Sequence, residues 1–132
     1  MIKKTKILTI AFILIITKLF SQNIVEKITF KSANPFSFHD IITNLNNQKE
    51  QEVYGNLIIP YNESDSSKKY SLIIGVAGSF GWKDHHYEYL KMYQEMGIAT
   101  FELNSFKSRN ITSTVGSQTE ITTAAMILDA YK

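Results

Sequence analysis

Residues 70–82 read Tyr70-Ser71-Leu72-Ile73-Ile74-Gly75-Val76-Ala77-Gly78-Ser79-Phe80-Gly81-Trp82, and this stretch decides the fold class. From Tyr70 to Ala77 the apolar residues run continuously without alternating, the pattern of a β-strand covered by helices on both faces. Ile98 to Leu103 is a second short run of the same kind. Between them Asp84 is placed to cap a helix whose residues Tyr89, Met92, Tyr93 and Met96 share one face, with Gly97 at the usual stop position. Strand, helix and strand in this order predict a right-handed βαβ unit and therefore a parallel pair of strands.

Upstream, Ile24 to Lys31 alternates apolar and polar imperfectly, and Glu52 to Pro60 carries Val53, Tyr54, Leu57, Ile58 and Ile59 before Pro60 and a polar loop from Asn62 to Lys69. With the turn-rich segment Asn44 to Gln51 between them, these two strands are expected to pair antiparallel. Downstream, Ser117 and Glu120 stand at the spacing of a reciprocal capping box, followed by Ile121, Ala124, Ala125 and Leu128 as the apolar face of a further helix. No Gly, Asn or Pro stops that helix before Lys132, the pattern of a chain interrupted within a larger domain.

The amino terminus reads as an address. Lys3, Lys4 and Lys6 precede an apolar run from Ile7 to Ile16 broken only by Thr9, and Lys18 to Gln22 follow. This order predicts a secretory signal peptide over residues 1–21, cleaved after Ser21, with a mature domain over residues 22–132 in a secreted or periplasmic location. The apolar run falls short of the roughly 20 residues needed to cross a bilayer, so no stable membrane span is expected.

The 132 residues hold fourteen Lys and Arg against twelve Asp and Glu, but four of the lysines lie within the first 21 residues. The rest of the chain has ten basic and twelve acidic residues, a net charge of −2, which argues against a phosphate-neutralising surface and hence against a nucleic-acid partner. The absence of cysteine excludes disulfides and thiol-linked lipid.

Ala77 to Trp82 is the segment most able to carry chemistry. Ligands of open α/β sheets gather at the carboxyl ends of parallel strands, and a glycine-flanked turn there can aim a backbone N–H at a developing oxyanion. By themselves the glycines also fit an ordinary strand-to-helix connection. The spacing is neither Gly-x-Gly-x-x-Gly nor a phosphate loop, so no nucleotide cofactor is expected. Asp84-His85-His86 lacks metal-ligand spacing, because neighbouring helical side chains diverge by about 100°. His39-Asp40 reads as a surface pair in a loop, and Arg109, in the loop from Ser105 to Gly116, is a candidate for the same rim as the glycine turn or a solvated arginine. Neither Gly-x-Ser-x-Gly nor a cysteine equivalent occurs. Asn62-Glu63-Ser64 and Asn110-Ile111-Thr112 match glycosylation sequons.

A family resemblance joins these features. The residues carrying it are Ile73-Ile74-Gly75-Val76-Ala77-Gly78-Ser79-Phe80-Gly81-Trp82, Asp84-His85-His86-Tyr87-Glu88-Tyr89, Glu95-Met96-Gly97-Ile98-Ala99-Thr100-Phe101, Asn104-Ser105-Phe106, Arg109, and Thr114-Val115-Gly116-Ser117-Gln118 leading to Ala124 and Asp129-Ala130-Tyr131. In this order, residues 72–132 resemble the amino-terminal half of dienelactone hydrolase-like members of the α/β-hydrolase family. The resemblance implies a partial α/β-hydrolase fold: amino-terminal antiparallel strands, then a parallel βαβ unit, truncated before the nucleophile strand. It places the backbone N–H of Ser79 in the oxyanion hole, with Gly78, Phe80, Gly81, Trp82 and Arg109 lining the substrate. The chain departs from the family's His-Gly-x-Gly-Gly-like turn at Ala77, where histidine is frequent, and at Phe80, where glycine is frequent.

The family's nucleophile, acid and histidine have no counterpart in these 132 residues. The implied activity of the whole protein is hydrolysis of a small ester, lactone or related acyl bond by a serine or cysteine nucleophile, with no cofactor or metal. The present chain is expected to be inactive. The strand at Tyr70 to Ala77 would lack its neighbour, leaving an apolar edge through which copies self-associate. The rival expectations are a small exported binding module without catalytic residues and a membrane-tethered interaction fragment.

Overall fold

The computed structural model describes residues 23–60 and 67–132. The expected signal peptide and the sequon at Asn62 lie outside the described residues. Four strands, β1 (Ile24–Ala33), β2 (Glu50–Ile59), β3 (Leu72–Val76) and β4 (Ala99–Leu103), form one mixed sheet in the order β1-β2-β4-β3. β1 pairs antiparallel with β2, β2 antiparallel with β4, and β3 parallel with β4, so both the expected hairpin-like pair and the expected parallel pair are present.

Among the described residues three α-helices accompany the sheet: α1 (Phe38–Thr43), α2 (Asp84–Glu95) and α3 (Thr123–Tyr131). Side chains alternate across a strand, so the register sorts the sheet into two chemically different faces. Val53, Phe101 and Leu103 form the buried core of one face, flanked by Ile28, Phe30, Leu57 and Ala130 of α3. Gly55 belongs to this face because the Phe101 ring lies over it, and an added Cβ would stand 2.1 Å from that ring. The opposite face carries buried Thr100 and Glu102, and α2 covers it.

The chemistry of that second face sets the roll of α2. Tyr87 OH donates to Glu102 at 3.2 Å and Gln94 Nε2 donates to Thr100 Oγ1 at 2.8 Å, while Leu90 is the buried apolar residue of the helix. Tyr87, Leu90 and Gln94 therefore face inward, because a buried carboxylate and hydroxyl need hydrogen-bond partners more than the helix needs to hide its methionines. Of the four residues expected to form the apolar face, Tyr89, Met92 and Met96 are exposed and Tyr93 is half-buried. Capping differs as well. Lys83 is the N-cap of α2, its N–H donating to His86 Nδ1 at 2.9 Å, and Asp84 is the first helical residue.

Other local expectations are also corrected. His39 and Asp40 lie in α1, which opens with a Ser37/Asp40 capping box: Asp40 N–H donates to Ser37 Oγ and Ser37 N–H to Asp40 Oδ2. The Ser37 hydroxyl, which donates to Asp40 Oδ2 at 2.8 Å, and then the Ser37 N–H hold the Asp40 carboxyl below its ordinary value. The last helix starts later than expected, with Thr122 as N-cap accepting from Ala125 N–H at 3.1 Å, whereas Ser117 and Glu120 form only a turn. Ile121, Ala124, Ala125 and Leu128 are buried as expected, Ile121 from just ahead of the helix.

β3 departs most from its expected environment. Leu72, Ile74 and Val76 remain exposed, Ile74 at 42%, so β3 is not covered on both faces. The reason is its place in the sheet: β3 is an edge strand bonded to β4 on one side, and among the described residues no strand pairs with its other side. The continuous apolar run nevertheless reads as a buried strand, because composition registers covering only after the covering elements are in place.

Candidate functional site

The turn at Ala77 to Trp82 leaves the carboxyl end of β3 beside its parallel neighbour β4, as the sequence predicts. Gly78 C=O accepts from Gly81 N–H at 2.9 Å, which closes a four-residue corner with Ser79 and Phe80 at its tip. Gly81 has φ +69°, and a Cβ there would lie 3.3 Å from the Thr112 carbonyl, so both backbone strain and space require glycine. Gly78 has open space around its missing Cβ and carries no such requirement.

A second bond orients the tip. Thr114 N–H donates to Ser79 C=O at 2.8 Å. The peptide between Ser79 and Phe80 is planar and trans, so fixing its carbonyl toward Thr114 turns the Phe80 N–H away from that loop. Among the described residues, neither the Ser79 N–H nor the Phe80 N–H donates to a protein acceptor. Two unengaged donors at the end of a parallel strand are suited to a carbonyl oxygen or oxyanion.

Trp82 has a bracing role and turns its indole to the sheet. Its Nε1–H donates to Leu103 C=O at 2.9 Å, its ring stacks on Tyr87 with centroids 5.4 Å apart, and a Cβ on Gly75 would stand 2.7 Å from it. The ring of His86 meets Trp82 edge-on at 5.5 Å. Desolvation, with the neighbouring His85 charge second, holds the His86 imidazole below its ordinary value, and burial, with the Glu102 charge second, pushes the Tyr87 hydroxyl up.

Arg109 is in a different place from the one expected. Its guanidinium makes a bidentate pair with Asp129 of α3, Nη1 to Oδ2 at 2.7 Å and Nη2 to Oδ1 at 3.0 Å, and the two side chains are 4% and 0% exposed. Nη1 also donates to Ser105 C=O, Nη2 to Ala33 C=O, and Nε to Asn34 Oδ1. A guanidinium has five N–H donors, and these contacts engage all of them. The expected rim position is therefore corrected: Arg109 ties the end of β1 to α3 and has no donor left for a substrate. Ser32 Oγ completes the clasp by donating to Asp129 Oδ1.

The structure thus brings Gly78, Ser79, Phe80 and Gly81 together at one corner, sets Trp82 behind it and removes Arg109. It adds backbone contacts from Thr112 and Thr114, residues quoted above for a sequon and for the family resemblance but not as neighbours of the turn. At the neighbouring end of β4, Asn104 Oδ1 and Ser105 Oγ are buried and make no hydrogen bond among the described residues. Polar Asn104 directly after an apolar strand is a signal that could have drawn attention to that end. The side-chain amide of Asn104 donates through Nδ2–H to Glu102 C=O at 3.1 Å. A cavity of about 60 Å³ lined by Asn34, Pro35, Ile121 and Thr122 lies away from the turn.

Among the described residues no group of three His, Asp or Glu side chains is arranged to hold a metal, and no helix is long and apolar enough to cross a membrane. No family model, curated protein or solved structure matches the chain.

Proposed function

We propose that the chain is the amino-terminal part of an exported α/β-hydrolase of the dienelactone hydrolase-like type, and that its turn supplies one side of an oxyanion hole for hydrolysis of an ester, lactone or related acyl bond. The observation carrying this reading is the corner at Gly78 to Gly81, with the Ser79 and Phe80 N–H groups unengaged at the carboxyl end of a parallel strand. The position of β3 supports it. A hydrolase of this type places its nucleophile strand next to the strand resembling β3, and that side of β3 is open among the described residues.

In this role the backbone of Ser79 donates to the oxygen that gains charge as the acyl carbon becomes tetrahedral, and Gly81 gives the turn its shape. The role we assign to Ser79 is that of a backbone donor and not a nucleophile, since among the described residues neither a histidine nor another base bonds to its hydroxyl. The chain by itself makes no acyl-enzyme. While β3 keeps an open side, copies associate through it.

The test is fluorophosphonate labelling of the purified chain, followed by sequencing of the coding DNA beyond Lys132. No labelling is expected, and Gly-x-Ser-x-Gly or Gly-x-Cys-x-Gly should follow within roughly the next thirty residues. Labelling at Ser79 would overturn the backbone-donor assignment, and the absence of either motif would overturn the hydrolase.

A further inference from the structure

We infer that the outward side of α2 is half of a surface that takes one further copy of this chain, with β3 pairing antiparallel to the β3 of that copy and the two α2 helices packing side by side across one two-fold axis. The inference rests on the open side of β3 and not on hydrolase chemistry, and it adds a second surface and a geometry to the association stated above. Both edges of the sheet are open among the described residues. β1 carries Glu26, Lys27 and Lys31, charges that blunt an edge, whereas β3 reads Leu72-Ile73-Ile74-Gly75-Val76 without any. Ala99 N–H donates to Ser71 C=O, so by alternation Ser71, Ile73 and Gly75 turn their peptide groups to β4 and Leu72, Ile74 and Val76 turn theirs to the open side. An antiparallel copy centred on Ile74, the middle of these three, pairs Ile74 with Ile74 and Leu72 with Val76.

The roll of α2 brings its apolar stripe to the same side. Tyr87 and Gln94 touch Glu102 and Thr100 of β4, and the Leu90 side chain lies against Gly75 of β3. Successive helical residues turn by about 100°, so continuing in that sense round the helix, past β3, come Tyr93, Tyr89 and the C-cap residue Met96. Lys91 and Glu95 lie on the far side, paired with each other at 3.8 Å. Strand spacing fixes what the stripe meets: strands stand about 4.8 Å apart, so α2, lying over β3 and β4, is about 5 Å from a two-fold at the β3 edge and about 10 Å from its copy, the distance at which helices pack. The levels agree as well. Leu90 sits at Gly75 and Gln94 at Thr100, the partner of Ile73, so Ile74 is level with Met92 and Tyr93 at the middle of the stripe. A two-fold at Ile74 therefore sets Tyr93 against Tyr93 and Tyr89 against Met96, a self-complementary aromatic and thioether seam without charge. On the other face Leu72, Ile74 and Val76 cover their copies. The exposed parts of these side chains, 60% of Tyr89 and 65% of Met96 among them, come to roughly 600 Å² on each copy, most of the ~800 Å² that a stable interface takes.

Sedimentation of the purified chain should show a monomer–dimer equilibrium and no larger species, since the two-fold occupies the open side of β3. Tyr89→Glu combined with Met96→Glu, both at exposed positions, should raise the dimer dissociation constant more than about tenfold, because carboxylates of both copies then meet in the seam. The far-ultraviolet circular dichroism of that variant should match the wild type. The chain has no cysteine, so introduced thiols report the seam directly. Bismaleimidoethane should join Tyr89→Cys chains to Met96→Cys chains, whereas Lys91→Cys chains, altered on the far side of α2, should stay unjoined. A dimer that Ile74→Lys dissociates but the two glutamates leave intact would overturn the α2 seam and leave the β3 edge as the contact. Equal joining of the Lys91→Cys chains would overturn the two-fold. A chain that stays monomeric, or forms mainly larger species, would overturn the whole inference, while the hydrolase reading answers separately to labelling and to the motif beyond Lys132.

Discussion

Replacing Arg109 with Met separates a structural role for this residue from a substrate-binding one. The substitution keeps an unbranched apolar stem but removes a guanidinium whose five donors meet Asp129, Ser105, Ala33 and Asn34. Asp129 is then left 0% exposed in its native position, with Ser32 Oγ as its remaining donor. Breaking one side of a buried ion pair costs about 3–5 kcal/mol, mostly because the surviving charge stays desolvated. A domain of this size unfolds with a urea dependence of roughly 1.5 kcal/mol per molar, so the midpoint should fall by about 2 M or more. The assay is urea unfolding followed by the emission of Trp82, the single tryptophan of the chain. Removing both charges, as Arg109→Met with Asp129→Leu, should recover much of the loss, because no unpaired ion then remains. A loss below about 1 kcal/mol for Arg109→Met would refute the clasp and return Arg109 to the list of residues available at the rim.

Two further outcomes test the fold and its electrostatics. Ile74→Lys places a charge on the open edge strand and should shift size-exclusion elution of the chain toward monomer, whereas unchanged elution of a monomeric wild type would show that the β3 edge recruits no second copy. His86 should titrate below 6.5, because desolvation disfavours its charged form and its Nδ1 accepts from Lys83 N–H. Its contribution to stability is therefore full above pH 6.5 and lost as pH falls through the folded-state value, and a proton-NMR midpoint at or above 6.5 would contradict this.

Much of the sheet was legible along the chain because strand patterns are local. The alternation from Ile24, the apolar run into Pro60 and the continuous runs at Tyr70 and Ile98 each lie within two or three residues of a strand in the structure. Gly97 and Gly81, both at positive φ, were legible for the same reason: a left-handed corner leaves its mark as glycine at the position that needs it. The Ser37/Asp40 capping box was equally local and was read as a loop, since α1 has six residues and no apolar periodicity to draw attention to it.

The parts that stayed illegible involve partners brought together by the fold. Arg109 and Asp129 lie 20 residues apart, and Ser32 and Asp129 lie 97 apart, so nothing around Arg109 in the chain distinguishes a buried clasp from a solvated loop arginine. The same holds for α2, whose methionines and tyrosines match an inward stripe until Glu102 and Thr100 of the sheet select Tyr87 and Gln94 instead.

The sequence by itself determined the strands, the parallel pairing through a helical crossover and the glycine corner at the end of β3, because each follows from backbone preference and periodicity over a few residues. Only the tertiary structure decided that two N–H groups of the corner meet no acceptor among the described residues, that Trp82 braces it and that the Arg109 donors are engaged elsewhere. Hydrogen-bond satisfaction and burial are properties of groups that meet in space, and the order of residues along the chain does not record those meetings.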